Sequence, residues 1–351
     1  MDKKFFSEIN VEFVNLFISE IHSAKSIVIS SHTSPDDDSI SSVLAVNYYL
    51  TKYRDVGKAK IRMMYTGEKT DKWKQFYGYD DVEFVDDIYG YLKPTDLVIF
   101  VDGSGWRRFS RRDEINKFKG TTICIDHHPT PEDKFNLHLV AKNYTSCAEI
   151  IYKLFFEKEK LDKYICEILF LGISGDTGNF RFLGPESSET FSIAGRLVRE
   201  GGFNVQLLQS GYQRFGPNVF TAFASLMKNS MQVEINHWPK AMVSWLDSDF
   251  VKDQGMSDND ISEASNQFTF YINAVKGTDW GFVVTPRTRE KSSAISARSL
   301  PGTVSVRLFM EQTKLGGGHD RAAGGKAFNK NPKETVNFLL AFMEKNRPVM
   351  L

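Results

Sequence analysis

The sequence predicts an α/β protein, with an N-terminal parallel-sheet domain followed by a smaller C-terminal α/β domain. Three observations carry this. Short apolar or β-branched runs at residues 26–30 (SIVIS), 59–65 (AKIRMMY), 96–102 (DLVIFVD) and 121–126 (TTICID) alternate with segments of helical apolar spacing. That alternation calls for parallel strands joined by crossover helices. Histidines and aspartates follow the first, third and fourth runs directly, at the strand ends where open α/β sheets gather their ligands.

Residues 5–24 have helical spacing and predict an opening helix ahead of the first strand, so His32 falls just beyond a strand end. Residues 42–53, 147–160, 163–176 and 188–202 read as further helices, the last stopped by Gly201 and Gly202. From 204 to 229 the pattern is helical without strand signals, which predicts a connector between a first domain at 1–203 and a second at 230–351. In the second, 231–236, 240–246, 280–286 and 292–299 read as strands and 260–268, 303–313 and 334–345 as helices. A glycine-rich turn is expected at Gly316 to His319.

At 351 residues with 41% hydrophobic content, the chain is long enough for about two domains with full cores. Lys plus Arg and Asp plus Glu are 44 each, so no basic excess points to avid binding along duplex nucleic acid, although local charge can differ from the total. The N-terminus lacks the basic-then-apolar order of a signal peptide and no run approaches the length of a membrane span, which predicts a cytoplasmic protein without membrane association. Cys124, Cys147 and Cys166 lack zinc-site spacing and are expected to be buried thiols.

Four strand-end or helix-end motifs carry the chemistry. In ISSHTSPDDDSISS, His32, Asp36 and Asp38 lie within seven residues, a donor set suited to hard divalent ions, with Asp37 expected to point away; a solvated acidic turn that caps the next helix is the competing reading. Asp102 ends a buried strand and needs compensation, from metal or from Arg107 or Arg108. In TICIDHHPTP, one of His127 and His128 can coordinate a metal while the other faces substrate, and Asp126 can orient an imidazole. Asp176 sits at a helix C-terminus, an unfavourable place for an anion unless a cation compensates. In the second domain, Arg298 and Ser299 offer a cation and a hydroxyl for a phosphate, and Gly316, Gly317, Gly318 and His319 offer amides and an imidazole.

In this order, HTSPDDD, Asp102, DHH, DTG and GGGHDRAAG resemble the DHH phosphoesterase superfamily with its associated C-terminal domain. The two-domain arrangement is similar to the group that degrades short oligoribonucleotides and removes the 3′-phosphate of pAp. The resemblance implies an active site in an interdomain cleft and two Mn2+ ions, with Mg2+ or another divalent ion as substitutes. It assigns His32 and Asp36 to one ion, Asp38, His127 and Asp176 to the other, and Asp102 to both. His128 then faces the scissile phosphate with Asp126 behind it, and Arg298, Ser299, Gly316 to Gly318 and His319 hold the distal part of the substrate. Two departures, Ser41-Ser42 for the family's Gly-Ser and Leu315 for the first of four glycines, bear on substrate choice and turn geometry.

The function expected is therefore a manganese-dependent phosphoesterase acting on short oligoribonucleotides, on pAp, or on both. A cyclic di-AMP or pApA phosphodiesterase is the nearest alternative, and a non-catalytic nucleotide-binding regulatory module is the alternative of another class. Processive action on long single strands would use Phe180, Phe182, Trp106 and Trp280 as stacking platforms. A short nucleotide is the expected partner, and whether the chain forms a homodimer is left open.

Overall fold

The computed structural model describes residues 3–33, 35–57, 60–128, 135–288 and 291–351; Ser34 of the first motif and the Pro-Thr-Pro after His128 lie outside them. The chain divides into two compact units, Met1–Gln213 and Arg214–Leu351.

Among the described residues, the first unit holds seven strands: β1 (Lys4–Phe6), β2 (Ser26–Ser30), β3 (Ile61–Thr66), β4 (Val82–Val85), β5 (Asp96–Val101), β6 (Thr121–Asp126) and β7 (Leu137–Val140). They pair in parallel in the order β1-β7-β6-β5-β2-β3-β4. Strand alternation divides the core. Ile27, Ile29, Leu97, Ile99, Val101, Ile123 and Ile125 pack on one face with the main helices, and Val28, Val98, Phe100 and Cys124 pack on the other against Ile88, Phe109, Ile115 and Phe135. The chain runs outward from β2 to β4, then returns to the other side of β2 as β5. This reversal opens a crevice at the carboxyl ends of β2 and β5.

The helices of this unit are α1 (Val11–Ser23), α2 (Asp37–Lys52), α3 (Trp106–Phe109), α4 (Cys147–Ile151), α5 (Lys163–Asp176), α6 (Ser188–Gly201) and α7 (Val205–Tyr212). The opening helix is shorter than its apolar spacing implies. Asn10 caps α1 through the amide of Glu12, while Lys4–Phe6 pairs with Leu137–Leu139 as an edge strand. Residues 147–160 are not one α-helix either: α4 gives way to a π-helical stretch at Tyr152–Phe156.

The second unit has α8 (Pro217–Lys228), α9 (Ser248–Asp253), α10 (Asp258–Thr269), α11 (Val306–Thr313) and α12 (Pro332–Lys345). Its sheet comprises β8 (Met231–Val233), β9 (Ala241–Trp245), β10 (Trp280–Arg287), β11 (Ser292–Ser299), β12 (Gly316–His319) and β13 (Ala322–Phe328), in the order β12-β13-β11-β10-β9-β8. Trp280, Phe282 and Val284 face one core and Val283 the other. Residues 204–229, expected as a connector, are split by packing: Leu208 and Tyr212 of α7 enter the first core, and Val219, Ala222 and Leu226 of α8 enter the second.

The glycines at 316–318 form a strand rather than a turn. They pair with Ala323 to Gly325, and a Cβ on Gly316 would stand 2.0 Å from the Gly324 carbonyl oxygen, so close strand approach is what requires glycine there. The turn falls at Asp320 and Arg321, between β12 and β13. Among the described residues no helix is long and apolar enough to cross a membrane. Cys124, Cys147 and Cys166 are all buried, and burial pushes the Cys166 thiol up to about 12.

Candidate metal centre

β2 and β5 are neighbours, so the residues that follow them meet. His32 Nε2 lies 3.2 Å from Asp102 Oδ2 and 3.5 Å from Asp36 Oδ2. Asp102 turns the chain sharply: its φ is 56°, in the left-handed region that Asp tolerates better than most residues, and Gly103 follows at 153°. The turn leaves the carboxylate buried, 2% exposed.

Asp36 serves two purposes. It caps α2 in a capping box with Ser39, Oδ1 accepting from the Ser39 amide at 2.9 Å, while Oδ2 faces His32. The helix-cap and ligand readings of this loop are therefore compatible. Asp38, in the first turn of α2, is fully buried and accepts from the amides of Cys147 and Ala148 at 2.7 and 2.9 Å. Asp37 does point away, held by Trp73 Nε1 at 2.7 Å and Lys72 Nζ at 2.6 Å.

On the other side of Asp102, β6 ends in Asp126. Asp126 Oδ1 accepts from the amides of His127 and His128 and pairs with His128 Nδ1 at 2.7 Å. His127 Nε2 stands 3.1 Å from Asp176 Oδ2 and 3.6 Å from Asp102 Oδ1, with hydrogen-bond geometry to neither. Asp176 is the last residue of α5, and Gly178, Asn179 and Phe180 after it are all left-handed, with φ of 57°, 56° and 67°. Phe180 is kept there by its amide, which donates to Thr177 Oγ1, and by stacking on Phe191.

The donor atoms fall into three overlapping groups: His32, Asp36 and Asp102; Asp38, His127 and Asp176; Asp102, His127 and His128. Asp102 sends one oxygen toward His32 and the other toward His127. No arginine compensates it among the described residues, since Arg107 pairs with Asp113. Among the described residues, Asp102 Oδ1 and His127 Nε2 are buried without a hydrogen-bond partner, a costly state for polar atoms.

Without a cation, protons must hold this crowd of charges together. Burial disfavours the imidazolium of His32, but Asp36 and Asp102 outweigh it and push the pKa up to about 10. Burial likewise opposes a charged His127, and the carboxylates of Asp102 and Asp176 facing it hold its pKa well above the usual range. Asp102 is held well below the carboxylate range, burial being outweighed by His127 and His32. Asp38 is pushed well up, by burial and then by the charges of Asp102 and Asp176. Divalent cations would take the place of those protons and satisfy the two orphaned atoms. The mixed imidazole and carboxylate donors suit manganese.

Helix packing brings Asp38 to this point. A Cβ on Gly172 of α5 would lie 2.6 Å from Ser41 Oγ, 2.6 Å from Ala148 Cβ and 2.8 Å from Asp38 Oδ1. Ser41 fits because its hydroxyl donates to the Ile168 carbonyl across the same interface. Gly172→Ala is expected to destabilise the first unit by about 1–3 kcal/mol, read by urea unfolding, because no neighbour is a flexible chain end.

Residues 26–173 match the model described as the DHH family, N-terminal domain. The matched stretch lies within the first unit. Asp176 lies just beyond the matched stretch. A Bacillus subtilis protein named bifunctional oligoribonuclease and PAP phosphatase is 29% identical over 192 residues, 53% of this chain and 57% of that protein. A Thermus thermophilus protein of the same name is 26% identical over 307 residues, 85% of this chain and 83% of that one. The chain thus spans little more than half the length of several curated relatives, 55% for one from Streptococcus mutans. In fold, the chain is similar to an exopolyphosphatase-related protein from Bacteroides fragilis, with a TM-score of 0.80 at 20% identity over 96% of this chain and 98% of that one.

In the second unit, Arg298 and His319 are both cross-strand partners of Ala322, on β11 and β12 to either side of β13. Partners in register project to one face, so a cation and an imidazole flank a methyl group about 10 Å across. Arg298 is half-buried and its guanidinium donates to the Ala297 carbonyl at 2.9 Å. Ser299 does not join them. The next position on a strand projects to the opposite face, and its buried hydroxyl donates to the Asp320 carbonyl, so it braces the turn. Gly316, Gly317 and Gly318 offer edge-strand amides rather than a looped cradle.

The aromatic residues with a potential for stacking separate clearly. Trp280 is fully buried beneath Trp238 and Phe309 and cannot meet a base. Trp106 packs on Phe100 and Phe135, and Phe180 on Phe170 and Phe191, whereas Phe182 is exposed.

Proposed function

We propose that this chain is a manganese-dependent phosphoesterase that hydrolyses short oligoribonucleotides, the 3′-phosphate of pAp, or both. The observation that carries the reading is the pair of buried, unpartnered atoms, Asp102 Oδ1 and His127 Nε2, inside three overlapping donor groups. The names of the Bacillus and Thermus relatives support the choice of substrate class.

In this reading His32, Asp36 and Asp102 hold one ion and Asp38, His127, Asp176 and Asp102 the other. When bound, such a pair supplies an activated water and neutralises charge on the phosphoryl oxygens. The chain's own groups do the rest. Asp126 Oδ1 accepts a hydrogen bond from His128 Nδ1–H, which fixes the ring and leaves Nε2 to stabilise or protonate the leaving oxygen. Three donors around Asp126 Oδ1 keep it ionised: its pKa is lowered against the effect of burial, mainly by His128. Arg298 and His319 hold a phosphate of the substrate remote from the scissile bond.

The test is a manganese assay across pAp, pApA, cyclic di-AMP and RNAs of two to five nucleotides. Inorganic phosphate from pAp and mononucleotides from the RNAs are expected. Preferential turnover of cyclic di-AMP would move the reading to a cyclic-dinucleotide phosphodiesterase, and no product from any substrate would leave a binding module. In the same assay Arg298→Gln is expected to raise KM by about 10- to 100-fold with kcat little changed, as removal of a charge-assisted hydrogen bond of about 1.5–3 kcal/mol implies. Unaltered kinetics would remove Arg298 from the substrate.

A further inference from the structure

The segment WRRFSRR, residues 106–112, carries four arginines within six positions, and the metal centre uses none of them. Its backbone runs along the carboxyl edge of the first sheet. The Arg108 carbonyl accepts from the amide of Thr33, which follows β2, at 2.7 Å. Next, the Phe109 carbonyl accepts from the hydroxyl of Thr66, the last residue of β3, at 3.0 Å. Then Ser110 Oγ and the Arg111 amide donate to Asp87, which follows β4, at 2.6 and 2.7 Å. The segment thus leaves Asp102 at the end of β5 and crosses β2 and β3 to reach β4, in the order in which those strands lie in the sheet.

The arginine side chains are set out along this path. Arg108 is half-buried, its Cδ lying 3.6 Å from where a Cβ on Gly103 would stand, next to Asp102. Arg112 is at the far end, its guanidinium 3.9 Å from the corresponding point on Gly90. Arg111 and Arg112 are exposed. Arg107 is neutralised by Asp113, but among the described residues no carboxylate pairs with the guanidinium of Arg108, Arg111 or Arg112. The nearby Asp87 carboxylate is occupied by Ser110 and by the amides of Tyr89 and Arg111. A chain with zero formal net charge therefore has a local row of uncompensated cations that starts beside the metal centre.

We infer that Arg108, Arg111 and Arg112 form a track for successive phosphates of a single-stranded oligonucleotide that extends beyond the scissile bond. The choice of ligand rests on the proposed function; the track itself rests on the sheet edge and its unpaired cations. Arg108 meets the phosphate nearest the metal centre, and Arg111 and Arg112 meet those that only a longer strand provides. The track makes affinity depend on length, and it reads the backbone rather than the bases.

The test is fluorescence anisotropy with fluorescein-labelled RNAs of two and five nucleotides, in EDTA so that nothing is hydrolysed, over a range of NaCl. Arg111→Gln/Arg112→Gln is expected to weaken the five-nucleotide RNA by about tenfold or more and to leave the two-nucleotide RNA unchanged. Its log-log salt slope should fall by roughly 1.4, about 0.7 for each phosphate of the single strand that is no longer neutralised. Arg108→Gln is expected to weaken both RNAs. A short polyphosphate should displace the five-nucleotide RNA from the wild-type chain. Equal affinity and slope for the double variant and the wild type, or no displacement by polyphosphate, would overturn the track. Because binding is read without turnover, the two ideas fail separately: hydrolysis with unaltered binding sinks only the track, and length-dependent binding without hydrolysis sinks only the enzyme.

Discussion

Asp102→Asn is expected to lower manganese-dependent turnover by on the order of 10³-fold or more, about 4 kcal/mol of transition-state stabilisation. Asparagine keeps the size of the side chain but removes the charge toward which both imidazoles, His32 and His127, are turned. Removing one partner from a buried charged group typically costs about 3–5 kcal/mol, because what remains is uncompensated. The measurement is steady-state product release from the best wild-type substrate, with a manganese titration by calorimetry to show a loss of bound metal. Turnover and metal content equal to the wild type would mean that Asp102 stands between no ions.

Manganese should also stabilise the first unit against heat. At a hundredfold excess over its dissociation constant, each ion contributes about 2.7 kcal/mol to the folded state. For a unit of this size, about 1 kcal/mol corresponds to roughly 2–4 °C, so each filled site should raise the transition by about 5–10 °C. The gain comes from exchanging protons for cations at His32, His127 and Asp38, whose pKa values are all raised by their surroundings. Scanning calorimetry in EDTA and in manganese measures it. Superimposed traces would show that the donor groups hold no ion under those conditions.

The course of the first sheet was legible because its central strands are long apolar runs buried on both faces, and because helices such as α5 begin and end where the periodicity does. Lys4–Phe6 was not legible as a strand, since three residues at an edge carry no period of their own and depend on the register with Leu137–Leu139. Gly316 to Gly318 mislead for a related reason: glycine marks turns, but here it marks two backbones in close approach, and nothing local separates the two cases. Ser299 reads as a companion of Arg298 because it is next in sequence, but in a strand the next residue faces the other way.

The candidate site was legible in its donor types and their place after strands, without its pairings. The sequence alone determined which side chains offer donors suited to a hard ion and that they follow apolar strands, because residue chemistry and periodicity are local. Only the tertiary structure decided that His32 and Asp102 meet, because the chain reverses at β2 and β5. It also decided that Gly172 lets Asp38 in, that Asp102 has no arginine partner among the described residues, and that the arginines of residues 106–112 line a sheet edge. Those are facts of distance between segments far apart in the chain, and they are set by strand order and close packing rather than by any local pattern.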